Sequence, residues 1–145
     1  MMRRVAAAAT VAALTVAGIS GQQAAASRTT NDAVFSEKQA TRGGVLYQQH
    51  CAMCHGPALA GIEMAPALTG PEFNANWGEV PLGDLFERIR ISMPQDKPGN
   101  LSLRQNADIL AFVLKFNGAP AGLVELPADA EALKQIRIVP ALPPL

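Results

Sequence analysis

The sequence is poor in large side chains: five Phe, one Trp and one Tyr make up 5% of its 145 residues. A domain built from so few is short of core volume unless something outside the polypeptide fills it. It also lacks an excess of charge, with 12 basic residues against 12 acidic ones. That balance excludes the basic stripe by which nucleic-acid binders hold phosphates. Beyond the N-terminus there is no apolar run of 18 residues or more, which excludes a multi-span membrane protein. No segment has the alternating pattern of a strand, and no nucleophile or carboxylate pair suggests acid–base catalysis, so no catalytic residue is assigned. The length fits one domain.

The N-terminus reads as an export signal. Met1 to Arg4 carry positive charge, Val5 to Ile19 are apolar and alanine-rich, and Ala24-Ala25-Ala26 is a small-residue cleavage site. At about 15 residues the apolar stretch is short for a membrane anchor, the alternative reading. The expectation is a signal peptide over 1–26, cleaved to start the mature chain near Ser27. A soluble protein without a membrane span would remain, in the periplasm or otherwise exported. Losing Arg3 and Arg4 leaves ten basic against twelve acidic residues, near −2.

Both cysteines of the chain sit in Cys51-Ala52-Met53-Cys54-His55-Gly56. A C-x-x-C pair alone is compatible with dithiol redox chemistry or, with further ligands, zinc. The histidine after the second cysteine turns the pattern into C-x-x-C-H, the attachment site of c-type haem. The spacing has a physical reason. Cysteines at i and i+3 share one face of a helical turn, so both sulfurs reach the two vinyl groups on one macrocycle edge. The next residue then carries its imidazole under the iron. One haem c, bound covalently through Cys51 and Cys54 with His55 as proximal ligand, would supply the missing apolar volume. His50, the only other histidine, reads as a side chain beside the haem edge.

Haem iron in an electron carrier takes His plus Met or His plus His. Met1 and Met2 leave with the signal, and Met53 lies inside the motif. Met64 follows His55 by nine residues, in a connection confined to the proximal side. Met93 ends an amphipathic segment and enters a loop stiffened by Pro94 and Pro98. Met93 is the candidate distal ligand; Met64, or an open iron, are the alternatives.

The scaffold reads as all-α. Ser36-Glu37-Lys38-Gln39 is a capping-box pattern opening a helix to about His50, with Ala40, Gly43, Tyr47 and Cys51 on one face. Pro81 opens a second helix with Leu82, Leu85, Phe86 and Ile89 at helical spacing, limited by Pro94. Ser102 to Gln105 repeats the capping pattern before a third helix to about Asn117, with a stripe of Ile109, Phe112, Val113 and Phe116. Asp129 to Ile136 can form a short fourth helix. Gly56 to Glu79, rich in Gly, Pro, Asn and Ala, reads as loops. The boundaries expected are an extension over 27–35, a domain over 36–118 and a Pro-rich C-terminal extension over 119–145, read as a strap or a docking segment.

From Ser36 to Gly118 the chain resembles the class I cytochrome c family. The resemblance rests on Gly43 and Tyr47, Cys51 to Gly56, Pro66-Ala67-Leu68, Ser92-Met93-Pro94 and Ala107 to Phe112. It implies three main helices plus loops wrapped around one haem, with Gly43 crossing Phe112. It further implies that the Pro66 carbonyl accepts the proton of the proximal imidazole, and that Leu68 packs on the haem face. The stretch through Trp77, Leu85-Phe86, Asn117-Gly118 and Glu125-Leu126-Pro127 is similar to cytochrome modules associated with pyrroloquinoline-quinone dehydrogenases. There an aromatic and an amide near the positions of Trp77 and Asn76 bond a haem propionate. The resemblance implies one-electron transfer with redox-partner proteins, a donor dehydrogenase and an acceptor oxidase or cytochrome. The rival readings are an open-site haem sensor or enzyme, and a cytochrome subunit docked permanently on a dehydrogenase.

Overall fold

In the computed structural model, residues 28–63 and 65–143 are described. The signal-peptide expectation, the start at Ser27 and the Met64 alternative lie outside them. The element order is β1 (Arg28–Thr29), α1 (Glu37–His50), α2 (Ala52–His55), α3 (Gly70–Trp77), α4 (Leu82–Ser92), α5 (Leu103–Phe116), α6 (Ala130–Leu133) and β2 (Ile136–Arg137). Three long helices, α1, α4 and α5, carry the frame expected of an all-α cytochrome c fold.

The long helices begin where the capping residues stand. Ser36 Oγ accepts from Gln39 N at 3.1 Å, and Ser102 with Gln105 makes the full reciprocal box. At α1 the box is only half formed. Gln39, 1% exposed, turns its amide to the backbone of Leu126, donating to its carbonyl at 3.2 Å and accepting from its N–H at 2.7 Å.

The main interhelical contact is α1 on α5. A Cβ at Gly43 would stand 1.8 Å from the Asp108 carbonyl oxygen, so the helix backbones meet at this point. This corrects the expected pairing of Gly43 with Phe112: the Phe112 ring lies instead over Gly44, 3.2 Å from where its Cβ would be. The same ring packs against Tyr47 with centroids 5.2 Å apart. Around the crossing, Tyr47, Leu82, Phe86, Leu110 and Leu114 are all within 2% of full burial. Burying each aliphatic or Phe side chain of this set contributes about 1.5–3 kcal/mol. Phe116, expected on the buried stripe of α5, is 44% exposed because that stripe turns outward in the last turn.

Two further expectations are corrected. The stretch read as loops contains the eight-residue helix α3, which starts on Gly70-Pro71 and sets Phe73 and Trp77 one turn apart. Proline at a helix's first turn costs no hydrogen bond, so it starts this helix rather than excluding it. The chain also has strands among the described residues. Arg28–Thr29 and Ile136–Arg137 pair in parallel. They are two residues long, too short for any alternation to show in the sequence.

The segment from Ala119 onward is laid along the helices. Gly122 N bonds Phe35 O at 2.6 Å, and Leu126, Leu133, Ile136 and Ile138 are buried in the common core. Its last rungs join both the N-terminal segment and the turn before α4. Val139 N donates to Thr30 Oγ1, and Ile138 N donates to Val80 O.

Candidate haem site

His55 is the last residue of α2, the short turn that follows α1 directly. Helical bonds from Cys54 N (3.1 Å) and His55 N (2.9 Å) to the Cys51 carbonyl close that turn. They set the two sulfurs of Cys51 and Cys54 on one side of it, as i, i+3 spacing requires. Cys51 is half-buried, Cys54 is exposed, and the two are not joined by a disulfide. Burial, with a smaller contribution from neighbouring Cys54, pushes the Cys51 thiol up to about 11.

The imidazole of His55 is 8% exposed, with Nδ1 2.9 Å from the Pro66 carbonyl oxygen. A carbonyl can only accept, so Nδ1 carries the hydrogen, and in the neutral ring the lone pair is then on Nε2. That is the tautomer a metal-ligating histidine needs, set by its second nitrogen.

The contact depends on how the loop after His55 folds. Tyr47, fully buried, donates its hydroxyl to the Gly56 carbonyl at 2.7 Å and fixes the exit from the motif. Gly61 N bonds His55 O at 2.9 Å, and Gly61 has φ +74°. A side chain there would clash with the backbone of Ala65 to Ala67, at 2.6–2.9 Å, so only glycine lets the segment carrying Pro66 close in. Leu68 N then bonds Leu59 O, and Leu68 is half-buried against the core.

A residue given no role of its own in the sequence reading secures the far end of this loop. Asn117, at the C-cap of α5, donates Nδ2 to the carbonyls of Leu68 and Val113, both at 2.9 Å. Its Oδ1 accepts from Gly70 N at 3.2 Å. An asparagine before a C-terminal glycine reads only as a helix stop, which is why this bridge escapes sequence reasoning.

Met93 caps the C-terminus of α4, half-buried, with its N–H on Ile89 O at 2.9 Å. Trp77 ends α3, half-buried against the core, and Asn76 beside it is exposed. His50, also half-buried, ends α1 next to Cys51. Among the described residues no three His, Cys, Asp or Glu side chains are arranged to hold a metal ion by themselves. The donor set fits a haem: a buried imidazole with a fixed tautomer, and two thiols one helical turn apart.

The sequence model of a family described as cytochrome C oxidase, cbb3-type, subunit III matches residues 38–113. A search of curated proteins gave no match. Among solved structures, the chain is similar to the sulfane dehydrogenase SoxCD from Paracoccus pantotrophus. The TM-score is 0.50 and the identity 21%, over 77% of this chain. The match spans 60% of the length of that chain, and at this identity the likeness is one of fold. No helix among the described residues is long and apolar enough to cross a membrane.

Proposed function

Because the chain belongs to the cbb3-type cytochrome c oxidase subunit III family, and so contains a c-type cytochrome module, we propose that it is an exported one-electron carrier with a single haem c. Cys51 and Cys54 would hold the haem covalently, and His55 and Met93 would ligate its iron. When bound, the haem supplies the one-electron couple. The chain's own residues then have distinct tasks. Pro66, through its carbonyl, keeps the His55 ring in one orientation and one tautomer. Leu68 and Trp77 line the pocket with apolar surface. As a ligand, the Met93 thioether would raise the potential relative to a second histidine. The low-dielectric core around Tyr47 and Leu59 disfavours extra positive charge, which acts in the same direction. No side chain moves a proton in this scheme; the protein carries electrons between a periplasmic dehydrogenase, quinoproteins among the candidates, and a terminal acceptor.

The observation that carries this reading is the 2.9 Å contact from His55 Nδ1 to the Pro66 carbonyl. The test is made on haem-loaded protein. Haem should survive acid–acetone extraction on the polypeptide, and the oxidised protein should show the weak red Met–Fe(III) charge-transfer band. Met93→Ala should abolish that band, lower the potential and open the iron to imidazole. Met64→Ala should do none of these. If Met64→Ala alone removes the band, the ligand assignment is wrong. If the parent shows no band, the open-site or bis-His reading takes its place.

A second reading, a subunit docked permanently on a dehydrogenase, is favoured by Leu123, which is fully exposed beside the half-exposed Val124 on the C-terminal segment. Copurification with a dehydrogenase that Leu123→Lys disrupts would support it.

A further inference from the structure

We infer that the C-terminal strap from Ala128 to Val139 is the device that positions α4, and through it Met93, with Gly83 as the positioning residue at the contact. The inference rests on the reading of Met93 as an axial ligand.

Helix α4 is held differently from the other long helices. It packs more extensively on the four-residue α6 than on α5, while α1 and α5 make their largest contact with each other. Its N-cap is Pro81, which offers no side-chain cap. The strap supplies the anchoring there instead. Glu79 N donates to Ile138 O at 2.8 Å, and Ile138 N donates to Val80 O at 3.0 Å, so the two residues before Pro81 are both pinned to Ile138. Arg137 bridges to Pro81 and pairs with Glu79 at 3.3 Å. One turn further on, a Cβ at Gly83 would lie 2.4 Å from the Ala130 carbonyl oxygen and 2.9 Å from Lys134 N. These are backbone atoms of the strap, and no rotamer change moves them aside. Leu133 and Ile136 complete the contact, at 0% and 4% exposure.

The far side of Met93 offers no comparable support. Gln95 to Asn100 are all exposed, and the backbone bonds of that loop are local, from Lys97 N to Pro94 O and from Asn100 N to Lys97 O. The place of Met93 is therefore set from the helix side. Gly83 and Met93 are separated by about 15 Å of helix, so a tilt of about 5° at Gly83 displaces the other end by about 1 Å. That is a large displacement for a thioether ligand.

The test compares two glycines at which the C-terminal segment and another part of the chain meet backbone to backbone, one on α4 under the strap and one on that segment before the strap begins. Gly122 would place its Cβ 2.4 Å from the Ala33 carbonyl oxygen, an equally close backbone clash, but on the segment before α1 and away from α4. In haem-loaded full-length protein, Gly83→Ala should weaken the Met–Fe(III) band. It should also speed imidazole binding by about tenfold, as a tenfold larger population with Met93 off the iron would. Gly122→Ala should lower the melting temperature comparably and leave the band and the imidazole rate as in the parent. If Gly83→Ala does not accumulate, Leu133→Ala opens the same contact by removing volume, with the same expectation. The inference is overturned if the strap variant leaves band and rate unchanged, or if Gly122→Ala moves them as far. A parent without the band overturns the Met93 assignment itself, a result distinct from either.

Discussion

The two sides of the proposed haem site are built by different means. On the His55 side every position is fixed by a hydrogen bond or a backbone contact: Tyr47 on Gly56, Gly61 on His55, Pro66 on the imidazole and Asn117 on Leu68. On the Met93 side the ligand rides at the end of one helix, next to an exposed loop, and the fixing contacts lie at the opposite end of that helix. The imidazole needs a defined tautomer and ring plane, which only directional bonds to its second nitrogen supply. A thioether has no second polar atom to bond, so its position has to come from the stiffness of the element that carries it.

The comparison breaks most completely at the α1–α5 crossing, on which the His55 side stands. Gly43→Val places a branched side chain where even a Cβ is 1.8 Å from the Asp108 carbonyl oxygen. The helices must part, at a cost of about 3 kcal/mol or more. Denaturant unfolding should show that loss, or no folded protein should accumulate. The neighbouring Gly44→Ala meets only the Phe112 ring at 3.2 Å, which can swing aside, and should be close to neutral. Equal losses at the two positions would mean that the crossing is not where the backbones meet.

A smaller effect separates the two sides directly. Asn117→Ala removes the bonds to Leu68 and Gly70 and leaves a half-buried carbonyl without its partner. The cost should be about 1–3 kcal/mol, read as a lower melting temperature. It falls on the proximal loop, so the Met–Fe(III) band should persist. Loss of the band with Asn117→Ala would show that the two sides are mechanically one.

What the sequence made legible follows the range of the interactions. Ser36, Pro81 and Ser102 mark the starts of the long helices because capping is decided within four residues. The C-x-x-C-H motif is local for the same reason. The pairing of His55 with Pro66 came from family resemblance, since nothing in residue type or spacing brings a carbonyl eleven positions away onto an imidazole. What stayed hidden depends on contacts far apart in the chain. Gln39 departs from its capping box because Leu126, 87 residues later, competes for its amide. The two-residue strands exist only because the N- and C-terminal segments meet, and α3 was masked by a composition that reads as loop.

The smallest expected effect concerns the charged clasp that ties the C-terminal segment, just before the strap, to the His55 side. Arg42 on α1 grips Asp108 on α5 with two bonds, at 2.8 and 2.9 Å, and reaches Glu125 on that segment at 2.9 Å. The Arg42 hydrogen bond holds the Glu125 carboxyl below its ordinary value. A carboxylate depressed in the folded state adds stability that is full above its unfolded pKa, about 4.3, and is lost as pH falls through the folded value. Glu125 is 41% exposed, so solvent and salt screen the contribution and it should be small. Melting temperatures of the parent and Glu125→Gln should differ by a constant amount above about pH 5 and converge in acid, as pH falls through the depressed folded value and the parent's carboxyl takes up its proton. Raising the ionic strength at pH 7 should narrow the same gap. A gap of the opposite sign above about pH 5, with Glu125→Gln the more stable protein, would mean that Glu125 destabilises the fold when charged, and the C-terminal segment would then owe its place to Gln39 and its buried apolar residues alone.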